Sequence, residues 1–348
     1  MKSFLLYGAN GYTGKLITAL ASQYDLQPIL AGRNEQAIRA LAEQFNFPYR
    51  VFALDDQKEL RKVLEETPVV LHVAGPFQHT AKQMIEGCLK TKTHYLDITG
   101  EIPVFEMAKR YDQPAINAGL MIMPGAGFDV VPTDCLALFL KNKLPDAIQL
   151  KLAFATLGGG LSHGTATTLV EGLGEYGAIR QNGKIVRKPL GHKGMWVDFG
   201  LKKLFVMTIP WGDVSTAFHT TGIPNIETYT GIPRGTFKLL KFQPLFNWVM
   251  RGSLFRKLIK KQIDKRAAGP SDEERRNSKS LVWGEVQNAK GEKMSGRLIT
   301  PDGYTLTAHS SLIIAKKVLS GNFIAGYQTP ASAYGADLVL EVPGTERS

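Results

Sequence analysis

Short apolar runs alternate with helix-like segments through the first 145 residues. The runs Phe4–Tyr7 and Val69–Ala74 contain no glycine or proline, which is typical of strands buried on both faces of a parallel sheet. Residues 34–45 instead place apolar side chains at helical spacing, with Asn34 as the expected cap. This alternation predicts a Rossmann-type doubly wound parallel sheet, an α/β fold. The predicted strands are residues 4–7, 28–31, 49–54, 69–74, 94–98 and 114–118.

The pattern changes at about residue 146. Gln149–Thr156 alternates between apolar and polar residues, as a half-buried strand does. The turn signals Asn182-Gly183 and Lys290-Gly291 each lie between two strand-like segments, which predicts two β-hairpins. A helix is expected at 307–319. The second part is therefore predicted to be an α+β domain with a mainly antiparallel sheet.

The first predicted strand leads directly into three glycines and a helix. Gly8, Gly11 and Gly14 are three residues apart, in the strand–turn–helix context of a dinucleotide fingerprint. Such glycines permit a tight turn and close approach of a pyrophosphate, and helix N–H groups then face the anion. The spacing differs from the usual G-x-G-x-x-G, and an ordinary strand–helix turn is the alternative. The residues assigned to this turn are Gly8, Asn10, Gly11, Tyr12, Thr13 and Gly14.

Arg33 stands where an NAD-binding domain usually carries Asp or Glu for the ribose hydroxyls. No carboxylate lies between Asp25 and Glu35, and an arginine suits a 2′-phosphate. The sequence therefore favours NADP over NAD, and a solvated Arg33 near a loop is the alternative. Asn34 is included in the cofactor set. Asp55, which follows the third strand, either faces the adenine or caps a helix.

The segment Ala74-Gly75-Pro76-Phe77 follows the fourth strand, at the carboxyl edge where ligands bind in such sheets. We assign all four residues to the cofactor site and expect Phe77 to form a wall of the nicotinamide pocket. Tyr95 lies on the next strand, and Glu101 follows that strand. Glu101 is either a catalytic carboxylate or a charge at a helix start.

The loop 158–165 is rich in glycine and carries His163. Hydride transfer requires a proton donor in many reactions, and the candidates are Tyr12, Tyr95, Ser162 and His163, with Glu101 as a further catalytic candidate. We expect the loop to border the substrate, and we expect Thr165 to start the following helix. The residues assigned to substrate binding are Ser162, Gly164 and Thr165. The alternative for His163 is a surface residue.

Composition narrows the function classes. Of 348 residues, 44% are hydrophobic, and no run approaches the roughly 20 apolar residues of a membrane-spanning helix. Two cysteines, Cys88 and Cys135, offer no metal-ligand cluster and suggest a reducing, cytoplasmic setting. Met1-Lys2 leads straight into the first strand, so no removable signal is expected.

The basic charge is concentrated in one segment. The chain carries a net charge of +11, and residues 232–276 hold twelve Lys or Arg against four Asp or Glu. This segment matches no nucleic-acid-binding module, so no nucleic-acid partner is expected. Residues 231–266 interleave basic residues with aromatic and aliphatic ones. They form either a helix on an anionic bilayer or a helix covering the second domain.

Seven segments, taken as a set, resemble the saccharopine dehydrogenase-like (saccharopine reductase-like) NADP-binding family. They are G-A-N-G-Y-T-G at 8–14, A-G-R at 31–33, A-G-P-F at 74–77, Y-L-D-I-T-G-E at 95–101, P-G-A-G-F-D at 124–129, S-H-G-T at 162–165 and Y-Q-T-P-A-S-A-Y-G at 327–335. In this family a terminal helix returns to the first domain. The resemblance thus implies an NADP-binding domain at 1–145, completed by about 320–348, and a substrate domain at 146–319.

The subgroup that the chain most resembles includes the trans-acting enoyl reductases. The resemblance implies an NADPH-dependent oxidoreductase that reduces a C=C or C=N bond on an acyl, lipid-like or other small substrate. Two alternatives stay open, a catalytically silent NADP-binding sensor or scaffold and a saccharopine dehydrogenase-type enzyme of amino-acid metabolism. A homodimer and a peripheral membrane contact are further expectations.

Overall fold

The computed structural model describes residues 2–158, 160, 162–166, 176–240 and 269–348. The chain forms two compact units, of which the first holds Met1–Val131 and Tyr304–Tyr334. The second holds Pro132–Gly303 and Gly335–Ser348. The boundaries expected from the sequence were about 145 and 320. The observed boundaries differ because the helix Val131–Lys143 belongs to the second unit and the helix Gly303–Leu319 belongs to the first.

The first unit is built on a parallel sheet with the strand order β15-β6-β5-β4-β1-β2-β3. Every strand pair in this sheet is parallel, and β1 lies between β4 and β2. Its strands are β1 Lys2–Tyr7, β2 Leu26–Gly32, β3 Tyr49–Val51, β4 Val69–His72, β5 His94–Asp97, β6 Met121–Met123 and β15 Gly326–Tyr327. The predicted doubly wound sheet is confirmed, with its switch point between β1 and β4.

Helices connect the strands of this sheet. They are α1 Tyr12–Leu20, α2 Glu35–Phe45, α3 Gln57–Glu65, α4 Phe77–Thr91, α5 Ile102–Ala108, α6 Asp112–Ala118, α11 Gly303–Leu319 and α12 Pro330–Tyr334, with short 3-10 turns at Ala21–Tyr24 and Lys109–Tyr111. The helix α11 belongs to this unit because Ser310 donates a hydrogen bond to the Ala126 carbonyl, 2.8 Å away. The Thr307 hydroxyl also accepts one from the Phe128 N–H.

The predicted strand at 114–118 is wrong. These residues form part of α6, and the strand that pairs with β5 is Met121–Met123. Pro114 lies in the first turn of α6, where its missing N–H costs no helical hydrogen bond. Gly119 ends the helix in the left-handed conformation with φ +69°.

The second unit contains a mixed sheet with the order β10-β11-β12-β7-β13-β14-β16, to which the β8–β9 hairpin is attached through β12. Apart from the parallel pair β12–β7, the described pairs are antiparallel. The strands are β7 Ala147–Leu157, β8 Gly177–Gln181, β9 Lys184–Lys188, β10 Gly194–Asp198, β11 Lys203–Thr208, β12 Asn225–Gly231, β13 Lys279–Asn288, β14 Lys293–Pro301 and β16 Glu346–Arg347. The predicted α+β domain and both predicted hairpins are confirmed.

The helices of the second unit are α7 Val131–Lys143, α8 Asp213–Thr221, α9 Arg234–Leu240 and α10 Asp272–Arg276, with a 3-10 turn at Leu338–Glu341. The helix α7 belongs here because Leu136 and Leu140 pack on two glycines of the sheet, Gly284 and Gly296. Among the described residues, we find no helix long and apolar enough to cross a bilayer.

One long-range contact joins two strands that lie far apart in the order of the second sheet. Arg297 on β14 donates from Nε to the Asp198 carbonyl at 2.9 Å and from Nη2 to the Asp198 carboxylate at 3.0 Å. Asp198 ends β10 at the far side of the sheet. The hairpin β10–β11 is therefore fastened to β14, and buried residues of both strands share one core cluster with Ala153, Tyr229 and Leu281.

We expect Arg297→Ala to loosen this hairpin without unfolding the first unit. Each lost hydrogen bond to a partly exposed group is worth about 0.5–1.5 kcal/mol, so the amide protons of β11 should exchange roughly fivefold or more faster. Hydrogen exchange with mass spectrometry measures this. Arg61→Ala, which removes an exposed pair with Glu65 on α3, is the control, and equal protection of β11 in both variants would contradict the account.

Candidate dinucleotide site

The turn between β1 and α1 is shaped by contacts that exclude side chains. Gly8 has φ +93°, and a Cβ built there would lie 2.8 Å from the Ala74 backbone nitrogen. A Cβ at Gly14 would lie 2.6 Å from the Gly8 carbonyl oxygen and 2.7 Å from that of Ala9. Gly8 therefore allows β1 to approach the segment after β4, and Gly14 allows α1 to pack on the turn.

The first turn of α1 lies at the carboxyl end of β1. Gly11 is the N-cap, and the first helical bond runs from the Lys15 N–H to the Gly11 carbonyl at 2.9 Å. A glycine cap offers no side-chain oxygen to the helix N–H groups, and no acidic residue lies in the first turn. Helix N-termini of this kind, at a switch point, bind the pyrophosphate of a dinucleotide. Thr13 lies in this turn, and the Tyr12 ring packs edge-on against Tyr304, 5.0 Å between centroids.

Residues at the end of β2 lie beside this turn. A Cβ at Gly32 would lie 3.0 Å from the Asn10 Oδ1, which places the Asn10 side chain next to the end of β2. Arg33 follows and is exposed. Asn34 caps α2, since its Oδ1 accepts a hydrogen bond from the Ala37 N–H at 3.0 Å. Asn34 thus has a structural partner, and Arg33 is the charged side chain that is accessible to a phosphate.

The structure resolves which aspartate caps α3. Asp56 accepts a hydrogen bond from the Glu59 N–H at 3.0 Å, so the cap is Asp56 and not Asp55. Asp55 is exposed. Burial raises the pKa of the Tyr7 hydroxyl, while Arg33 lowers it and Asp55 raises it. Arg33 and Asp55, both predicted cofactor residues, therefore both lie close enough to the Tyr7 hydroxyl, near the carboxyl end of β1, to shift its pKa.

The segment after β4 has two parts with different surroundings. Ala74 lies beside the β1 turn, and the Gly75–Pro76 peptide is cis. Phe77 starts α4, and its buried ring packs at right angles on His72, 5.4 Å between centroids. The ring lies in the core cluster of the sheet, because α4 turns its first apolar residue toward β4.

Glu101 caps α4 from another element. Its Oε1 accepts a hydrogen bond from the Phe77 N–H at 2.7 Å, and its Oε2 accepts one from the Gln78 N–H at 2.9 Å. A carboxylate in this position satisfies two helix N–H groups that have no helical partner and complements the helix dipole. Both oxygens are thus engaged in holding the start of α4.

Tyr95 and Asp97 form a buried pair on β5. Tyr95 is fully buried and donates a hydrogen bond to the Asp97 Oδ2 at 2.6 Å. The Asp97 Oδ1 accepts hydrogen bonds from the N–H groups of Thr99 and Gly125, both at 2.9 Å. Burial raises the pKa of Asp97 to about 7. The pair ties the end of β5 to the loop after β6, and a substrate could reach the Tyr95 hydroxyl only if this core opened.

Asp129 is the last residue of the motif P-G-A-G-F-D, which follows β6. Its carboxylate lies directly on the backbone of Gly100, where a Cβ would collide with it. Within the part of the chain that the structure describes, Asp129 has no hydrogen-bond partner, and the residue is partly exposed. Burial of the carboxyl, with the charge of Glu101, raises the pKa of Asp129 to about 7. The signal in the sequence was its motif, P-G-A-G-F-D, directly after a strand.

The predicted substrate loop lies in the second unit. Ser162 is buried, and its hydroxyl accepts a hydrogen bond from the Thr165 N–H at 3.2 Å, so Ser162 caps a helix. Residues 163–166 are helical, and the prediction that the helix starts at Thr165 is wrong by two residues. His163 is partly exposed, and Gly164 and Thr165 are exposed. Residues 159, 161 and 167–175 lie outside the described residues, as do 241–268, which hold most of the predicted basic segment.

A family model matches the part of the chain that forms this site. Residues 4–123 match the model described as "Saccharopine dehydrogenase NADP binding domain". The matched range contains β1, the glycine turn and Arg33. The predicted resemblance and the predicted NADP-binding domain are confirmed for this range.

Curated relatives extend the match at low identity. A saccharopine dehydrogenase-like oxidoreductase from Mus musculus is 24% identical over 202 residues, 51% of this chain and 47% of the relative. A trans-acting enoyl reductase from Mycobacterium ulcerans is 29% identical over 138 residues, 37% of this chain and 33% of the relative. The chain spans about half or less of the length of these relatives.

A solved structure matches nearly the whole fold. The saccharopine dehydrogenase (L-Glu forming) of Saccharomyces cerevisiae superposes with a TM-score of 0.66, covering 98% of this chain and 96% of that chain. Its sequence identity is 15%, so the similarity shows the fold alone.

We expect Gly14→Ala to weaken NADPH binding, because a methyl group would displace α1 from the carbonyls of Gly8 and Ala9. Dissociation constants measured by nucleotide fluorescence should rise more than about tenfold. Gly235→Ala is the control, since a Cβ there meets no atom within 4 Å. Unchanged affinity in a folded Gly14→Ala protein would contradict the assignment of the turn.

We expect Arg33→Asp to weaken NADPH and leave NADH nearly unchanged. A charge-assisted hydrogen bond to the 2′-phosphate is worth about 1.5–3 kcal/mol, or roughly ten- to a hundredfold in affinity. Titration of both cofactors measures the ratio. An equal loss for both cofactors, or no loss for either, is the result that the assignment does not allow.

Proposed function

We propose that this chain is an NADPH-dependent reductase of a C=C or C=N bond on an acyl, lipid-like or other small substrate. The observation that carries the proposal is the glycine turn at the switch point, with Arg33 at the end of β2. The match to an NADP-binding domain supports the cofactor. Relatives named as an oxidoreductase and as an enoyl reductase support the class of reaction.

The residues of the first unit fit such a cofactor. The close approach at Gly8 and Gly14 sets the start of α1 at the carboxyl end of β1, where helix N–H groups complement a pyrophosphate, and the exposed Arg33 complements a 2′-phosphate. When bound, NADPH would supply the hydride, and the protein must orient it and complete proton transfer. The carboxyl edge of β5 and β6 carries Asp129, so this group is the proton donor in the proposal.

Three carboxyl groups at this edge have separate tasks. Asp97 holds the loop after β6, and Glu101 holds the start of α4 with both oxygens. Asp129 has no such task, and the charge of Glu101 helps to keep a proton on it near neutral pH. A carboxylic acid with a pKa of about 7 is well matched to donate a proton at physiological pH.

The reaction is tested by a substrate panel. Purified protein is incubated with NADPH and with α,β-unsaturated acyl thioesters, unsaturated ketones or cyclic imines, and loss of NADPH absorbance is followed. Turnover of an unsaturated or imine substrate supports the proposal. Saccharopine with NADP, run in the oxidative direction, tests the amino-acid alternative. Tight NADPH binding without turnover across the panel would favour the sensor or scaffold alternative.

We expect turnover to fall as the pH rises through about 7, because Asp129 must be protonated to donate. The value of kcat/KM should be nearly constant below about pH 6 and decline about tenfold per pH unit above about 8. Asp129→Asn should lower kcat by about 10²- to 10⁴-fold and leave NADPH affinity unchanged. Asp56→Asn, which alters an exposed helix cap in the same unit, is the control.

Full turnover by Asp129→Asn would contradict the assignment of the proton donor. The same holds if the variant retains the pH dependence of the unaltered protein. His163→Ala tests the candidate from the sequence in the same assay, and a larger loss of kcat there would move the donor to the second unit's loop.

A further inference from the structure

The β10–β11 hairpin exposes two large apolar side chains to solvent. Leu201, in the turn, is 56% exposed, and Trp196, on β10, is 54% exposed. These are the two most exposed large hydrophobic residues in the part of the chain that the structure describes. A soluble surface tolerates single exposed apolar residues, so the surroundings decide whether these two form a binding surface.

Aromatic rings continue the apolar surface beyond the hairpin. Trp196 pairs with Phe205 across the two strands, with ring centroids 5.6 Å apart. Phe205 in turn contacts Phe237 on α9, 5.1 Å between centroids. Phe205 and Phe237 are partly buried. The three rings form a continuous cluster, which we call the hairpin cluster. Its Trp196 ring is the one exposed to solvent.

The charge around the hairpin cluster is positive. Lys202 and Lys203 follow Leu201, and Arg234 and Lys238 lie on α9; all four are exposed. The sequence contains one acidic residue in 194–208 and 231–240, Asp198. The Asp198 carboxylate is engaged by Arg297, 3.0 Å away. The surface therefore combines a net positive charge with exposed apolar groups.

We propose that the β10–β11 hairpin and α9 dock on an anionic lipid bilayer, with Leu201 and Trp196 at the interface. A tryptophan ring suits a boundary that is apolar on one side and wet on the other. Lysines beside an inserted leucine keep their charged ends in water or near anionic headgroups. The positive charge is what favours a lipid surface over an uncharged protein groove. The proposal does not depend on the proposed reaction.

The hairpin is also held in a fixed position. Arg297 fastens Asp198, the last residue of β10, to β14. The neighbouring Phe199 is fully buried. Leu201 is thus presented on a turn whose base is anchored, which lowers the ordering cost of inserting it.

Vesicle flotation tests the proposal. The full chain is mixed with phosphatidylcholine vesicles, with or without about one-third phosphatidylserine, at low and at high salt. We expect binding to the anionic vesicles at low salt, and we expect high salt to weaken it. Leu201→Asp should lower the bound fraction about tenfold or more. Ile324→Asp, at a residue 47% exposed in the first unit, is the matched control.

Two matched double variants test the contribution of charge to binding. Lys202→Glu with Lys203→Glu should abolish binding at low salt. Lys58→Glu with Lys90→Glu makes the same change in net charge at two exposed positions on helices of the first unit. This variant should retain most of the binding. A blue shift of tryptophan emission on binding, lost in Trp196→Phe, reports insertion directly. Circular dichroism confirms that each variant is folded.

Four outcomes would overturn the proposal. They are no binding to anionic vesicles at low salt, equal loss in Leu201→Asp and Ile324→Asp, retained binding in the Lys202/Lys203 variant, and loss caused only by substitutions at basic residues between 241 and 268. A dimer in solution that Leu201→Asp dissociates would instead assign the surface to a second copy of the chain.

Discussion

The packing of Gly14 against the carbonyl oxygens of Gly8 and Ala9 is the contact on which the first unit depends. It brings α1 so close to the end of β1 that no side chain fits between them. Gly8 makes the matching approach to Ala74 after β4. Since β1 lies between β2 and β4, these two glycines place a helix N-terminus at the point where the strand order reverses. A dinucleotide site follows from that placement.

The carboxyl edge of the same sheet depends on different interactions, the hydrogen bonds of the Asp97 and Glu101 carboxylates. Glu101 caps α4, and Asp97 joins β5 to the loop after β6. These bonds fix the loops between which Asp129 lies on Gly100. The carboxylates of Asp97 and Glu101 are thus engaged in holding the loops at this edge, whereas the Asp129 carboxyl is able to exchange a proton. The β10–β11 hairpin, which we propose as a lipid-docking surface, belongs to the other unit and is anchored by Arg297.

The parts of the fold that the sequence predicts are those governed by local pattern. Apolar runs marked the central strands, and Asn34 and Asn182-Gly183 marked a cap and a hairpin correctly. The bond from Glu101 to α4 joins residues 24 positions apart, so no local pattern contains it, and Glu101 could only be placed near a helix start. The run at 114–118 was predicted as a strand although its proline, asparagine and two alanines are poor strand formers, and the sheet takes Met121–Met123 instead. Between 190 and 280, strands with little alternation escaped prediction because packing, not pattern, defines them.

A crystal structure of the chain with bound NADPH would show whether the cofactor lies on the glycine turn. We expect pyrophosphate oxygens within hydrogen-bond distance of backbone N–H groups in the first turn of α1. We also expect the 2′-phosphate to contact the Arg33 guanidinium. Electron density for the dinucleotide away from residues 8–14, or a 2′-phosphate with no contact to Arg33, would show that the site has been assigned wrongly.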